Sequence, residues 1–86
     1  EVHLTSLNSD IETGIITAVD DIHLSAAQGS ITTNGALDAG GLVDLDALSV
    51  TINDTVDADG MVTIDATDGG ITVAGNITAG NDIDLT

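Results

Sequence analysis

The sequence predicts an all-β chain. Specifically, it predicts a right-handed parallel β-helix, a three-sided β-solenoid of about four coils of ~20 residues each. One observation is repetition. LDAGGLVDLDA (residues 37–47) returns in altered form as VDADGMVTIDA (56–66), ITAVDDIHLSA (16–26) and ITAGNDIDLT (77–86). A second is period. Apolar residues recur at i and i+2 and not at i+3 and i+4, which excludes helix and marks strands with alternate residues turned inward. The third is punctuation: Gly, Asn and Asp cluster between the β-branched runs, as turns require.

The elements follow in chain order. Val2, Ile22, Val43, Val62 and Ile83 are spaced 20, 21, 19 and 21 residues apart. Two residues on from each stand Leu4, Leu24, Leu45, Ile64 and Leu85, and two further on Ser6, Ala26, Ala47 and Ala66. These define a first strand in each coil. A second strand begins at Ile11, Ile31, Val50 and Ile71, with Thr13, Thr33, Ile52 and Val73 as its next inward residues. A third begins at Ile16, Leu37, Val56 and Ile77, followed by Ala18, Ala39, Ala58 and Ala79. Third strand to next first strand is always six residues. First to second is nine, except seven where Leu48-Ser49 shortens the corner. Length therefore varies in a corner and not in the columns. Stacked at about 4.8 Å, each column becomes a ladder of like side chains inside the tube. Gly29, Gly35, Gly40, Gly41, Gly60, Gly69, Gly70, Gly75 and Gly80 fall at the bends, with Asn34, Asn53, Asn76 and Asn81. The expectation there is left-handed backbone, which these residues adopt most readily.

Composition limits partners and chemistry. The 86 residues include no Lys, Arg, Cys, Pro, Phe, Tyr or Trp, and 15 acids give a formal charge of −15. A chain without a cation has no electrostatic attraction for nucleic acid or anionic lipid. No apolar run is long enough to span a membrane. The absence of Cys removes disulfide and thiol chemistry. With 42% hydrophobic residues, a periodic aliphatic core is available without large rings.

EVHLT (residues 1–5) resembles DIDLT (82–86), so both ends fall in the first strand of a coil and neither reads as a polar cap. The expectation is one solenoid segment over residues 1–86, either a slice of a longer array or a unit that stacks. Its partners are then further coils of the same chain or identical subunits end to end.

The words GSITTNGALDAGGLVDLDA (29–47) and GGITVAGNITAGNDIDLT (69–86) carry the pattern G-x-I-T-x-x-G-x-I/L-x-A-G-x-D/V-x-L-x-A. In this the chain resembles the filamentous haemagglutinin-like repeats of large bacterial exoproteins, over essentially its whole length. The resemblance implies a right-handed β-helical shaft, non-catalytic, from a secreted or cell-surface adhesin or toxin-delivery fibre. Members of that family often carry Lys and Arg, which this chain lacks.

Outward columns hold the candidate chemistry. Asp46 is expected over Asp65, and Asp38 over Asp57. Carboxylates that close repel by about 1 kcal/mol in bulk water and by a few at an effective dielectric near 20. With Asp54 and Asp59 at the corners, these six acids are the calcium candidates, since Ca²⁺ takes carboxylate and carbonyl oxygens. The competing reading, which the sequence favours, is a solvated acidic surface that keeps a fibre soluble. The nonapeptide G-G-x-G-x-D is absent. Asp57-Ala-Asp59-Gly60 imitates part of an EF-hand loop, but Thr55 and Ala66 stand where its first and last acids belong. His3 and His23 share a column, where a zinc pair is weighed against two exposed histidines, and the latter is expected. The stacked acids suggest acid–base catalysis only if a cleft surrounds them, and short corners argue against one. The column Glu12, Thr32, Thr51, Thr72 lacks the second Thr column that an ice-binding face would want. The Asn53-Asp-Thr55 and Asn76-Ile-Thr78 sequons serve as turn chemistry. The expected function is a structural shaft without cofactor or catalysis. The alternative is an end-to-end extracellular filament subunit, stabilised by calcium.

Overall fold

A computed structural model describes residues 2–86. Glu1 lies outside the described residues. The chain forms β1 (Val2–Ser6), β2 (Ile11–Thr13), β3 (Ile16–Ala18), β4 (Ile22–Thr33), β5 (Leu37–Ala39), β6 (Val43–Ile52), β7 (Val56–Ala58), β8 (Val62–Ala66), β9 (Ile71–Val73), β10 (Ile77–Ala79) and β11 (Ile83–Leu85), with no helix among the described residues. All pairings are parallel, and they build a β-solenoid of about four turns.

The predicted columns are the observed registers. On the first side β1, β4, β6, β8 and β11 stack so that Val2, Ile22, Val43, Val62 and Ile83 are successive partners, as are Leu4, Leu24, Leu45, Ile64 and Leu85. On the second side Ile11, Ile31, Val50 and Ile71 align. On the third, β3, β5, β7 and β10 align Ile16, Leu37, Val56 and Ile77. Alternation follows from the pleat. β5 and β7 each bury, expose and bury in turn, with Asp38 and Asp57 as the exposed residues.

One departure concerns the first corner. In the second and third turns the first and second strands are fused, so β4 runs 12 residues and β6 runs 10. Two consecutive outward residues carry the bend, Ala27-Gln28 in β4 and Leu48-Ser49 in β6. Between Ala26 and Ser30 the register of β4 on β6 shifts. The two extra residues bulge outward, and the inward columns resume in step on the far side.

The core is the bore of the middle turns. Ile22, Ile31, Leu37, Val43, Leu45, Val50, Ile52, Val56, Val62 and Ile64 have no exposed surface. Each such side chain contributes roughly 1.5–3 kcal/mol relative to exposure. The end turns are open: Leu4 is 40% exposed, Ile83 47% and Leu85 48%. Thr13 and Thr33 also point inward, and both hydroxyls are buried without a hydrogen-bond partner.

The glycines work differently from the expectation. No glycine and no other described residue has positive φ. The bends use ordinary backbone, and what several of them require is close approach between turns. A Cβ on Gly40 would run into the carbonyl oxygen of Val19 in the preceding turn, and one on Gly75 into that of Asp54. Around Gly70 there is open space.

Two outcomes follow for equilibrium unfolding. Gly40→Ala destabilises by about 2 kcal/mol, the scale of an overpacked contact, whereas Gly70→Ala is neutral or stabilises by up to about 1 kcal/mol. Thr33→Val, which keeps the shape and removes an unsatisfied hydroxyl, stabilises by about 1 kcal/mol. Urea midpoints of the three variants against the parent chain check both.

Candidate functional site

The functional candidates lie on the outward columns and at the corners, because the inward columns are consumed by packing. Asp46 and Asp65 are register partners on β6 and β8, and Asp38 and Asp57 on β5 and β7. The pairing read from the sequence is thus present, two acids deep in each column. Thr17 and Thr78 flank the pair on the third side. Ser25 and Thr86 occupy the equivalent positions on the first.

Asp54 and Asp59 sit at the two ends of β7 and not beside the stacked pairs. Asp54 is engaged locally, its Oδ1 accepting from the Thr55 N–H at 2.8 Å. Among the described residues no three or more His, Cys, Asp or Glu side chains converge so as to hold a metal ion. The six calcium candidates are therefore two pairs and two corner residues, not one ligand set. No pocket opens beside any of the described acids.

Other acids do more for the fold. Asp10 Oδ1 accepts from the Ser30 N–H at 2.9 Å, and Asp21 Oδ1 from the Leu42 N–H at 3.0 Å. Each bond runs from one turn to the next at a corner, where strand pairing has lapsed and a backbone donor would otherwise face water. Sequence reasoning passed over both residues. A signal was present, since each is an Asp immediately before the first inward isoleucine of a strand, Ile11 or Ile22.

A side-chain ladder occupies the corner after the second strand. Asn53 Nδ2 donates to Asn34 Oδ1, and Asn34 Nδ2 donates to Glu12 Oε2, both at 2.9 Å. These asparagines act as inter-turn struts and do not use left-handed backbone. On the same side Thr32, Thr51 and Thr72 align behind Glu12 as predicted. A short Ser30–Ser49 pair stands beside them.

The histidine column has more structure than two exposed rings. His3 and His23 are register partners on β1 and β4. Their rings stack with centroids 4.6 Å apart and planes inclined by 16°. Asp44 follows His23 in the column. Its Oδ2 lies 3.6 Å from His23 Nδ1, while Asp21 Oδ2 lies 3.9 Å from His23 Nε2. His23 is partly buried, with its side chain 30% exposed, because the flanking turns cover it.

Among the described residues no helix is long and apolar enough to cross a membrane. No family model, curated protein or solved structure matches the chain.

Removing an acid should have opposite effects at the two kinds of site. Asp46→Asn leaves the melting temperature unchanged or raises it, by relieving the stack with Asp65. Asp21→Ala lowers stability by about 1 kcal/mol, the net value of one hydrogen bond. Thermal melts of both variants at low salt, where surface charge is least screened, separate a solvated acid from a structural one.

Proposed function

We propose that the chain is a segment of a rigid, non-catalytic shaft in a secreted or cell-surface bacterial adhesin or exoprotein fibre. The observation that carries this reading is the continuous parallel register of like aliphatic residues from turn to turn, Val2, Ile22, Val43, Val62 and Ile83 on the first side. In the middle turns these ladders are fully buried. A stacked architecture of this kind gains stability from each neighbouring turn and suits a load-bearing rod. The resemblance of residues 29–47 and 69–86 to filamentous haemagglutinin-like repeats supports the same role and the extracellular setting. A smooth surface of short corners, without a pocket among the described residues, supports spacing and display over turnover.

A tandem tests the proposal. Residues 6–86 are joined directly after Thr86, so that residues 82–86 serve as the second copy's first strand. A single cooperative melt at a higher temperature than that of the 86-residue chain is the expected result. Two independent halves melting at the original temperature would count against a continuous rod. The native polypeptide should also far exceed 8.5 kDa. A mature product of that mass alone would favour the filament subunit.

A further inference from the structure

We infer that His3 and His23 form a binding site for a divalent transition-metal ion, Cu²⁺ in the first place and Zn²⁺ after it, clamping the first turn to the second. These are the only two histidines in a chain without cysteine, and the fold places them in register on adjacent parallel strands. Their rings stack with centroids 4.6 Å apart and planes inclined by 16°. Stacked rings hold their in-plane lone pairs nearly parallel, so a metal at about 2.0–2.1 Å from one nitrogen of each requires both rings to turn about their side-chain bonds until those nitrogens converge.

The carboxylates around His23 complete the arrangement. Nδ1 faces Asp44 at 3.6 Å and Nε2 faces Asp21 at 3.9 Å. Whichever nitrogen takes the metal, the other faces a carboxylate 3.6 or 3.9 Å away, which must move in by several tenths of an ångström to accept its N–H. That is the outer-sphere partner which fixes a metal-binding imidazole and raises its basicity. Imidazole selects copper and zinc over calcium, and copper leads in the order of affinities. Among the described residues no third side chain converges on the pair, which leaves coordination positions for water. The site is open and exchangeable, unlike a closed structural zinc site. Its mechanical consequence falls on β1, whose side chains are mostly exposed. A cross-strand metal ties that strand to β4.

The test must separate two imidazoles from 15 acids that attract any cation. Cu²⁺ alone is titrated into the chain by calorimetry, with the imidazole proton resonances followed for paramagnetic broadening. One equivalent is expected to bind first and to broaden both rings together. His3→Gln, at an exposed position where folding is not at stake, is expected to weaken that step at least tenfold. Millimolar Ca²⁺ is expected to leave it unchanged. The melting temperature is expected to rise with one equivalent of Cu²⁺ in the parent chain and not in His3→Gln. Binding of equal strength in His3→Gln, or full displacement by calcium, would overturn the inference and assign the copper to the carboxylate surface.

Discussion

Parallel backbone pairing from one turn to the next is the constraint on which the molecule depends. It fixes the vertical spacing at about 4.8 Å and places each residue over its counterpart some 20 positions away in sequence. Inside the tube this is favourable. Like aliphatic side chains meet at one distance in every turn, and a small set of Ile, Val, Leu and Ala suffices to fill the bore. A large ring would need matching space in the turns on either side, so the lack of Phe, Tyr and Trp follows from the same spacing.

Outside the tube the same spacing is a burden. A residue repeated in register repels its own charge, and the chain has 15 acids and no Lys or Arg. The columns show how this is contained. Asp38 and Asp57 are bounded by Thr17 and Thr78. Asp44 lies between His23 and Thr63. Glu12 is followed by Thr32, Thr51 and Thr72. Among the described residues no column on the three sides stacks more than two acids in succession. Some acids escape the problem by accepting backbone N–H groups across a corner, as Asp10 and Asp21 do. The varied outer lettering of an otherwise repetitive sequence is thus an electrostatic solution to a geometric rule.

The inward registers were legible in the sequence because two periods interlock: alternation along the strand, and a repeat of about 20 residues between strands. A wrong register for Leu24 or Val43 would have broken both. The bends were legible in place but not in cause. Gly40 and Gly75 looked like residues chosen for left-handed backbone, but what matters is the carbonyl of the turn beside them. That is a contact between positions distant in sequence, which no local pattern reports. The fusion of strands in β4 and β6 was hidden for a related reason, since Leu48-Ser49 bend β6 without a glycine and Gly29, at the bend of β4, reads as a strand break. The Asp pairs were found because they repeat. Asp21 was missed because its one signal, a place immediately before Ile22, names no partner, and that partner is the backbone of Leu42. The Asn53–Asn34–Glu12 ladder was missed because turn chemistry explained its asparagines one at a time.

The first corner holds four residues where Ala27-Gln28 bulge out or where residues 67–70 form the turn, and two where Leu48-Ser49 bridge directly. Both solutions leave the neighbouring ladders in step. That corner is therefore a splice point. Loops of differing length can be grafted there, one per turn, without altering the rod beneath. They would project from a single longitudinal ridge, giving the prism one decorated edge and leaving its three flats plain.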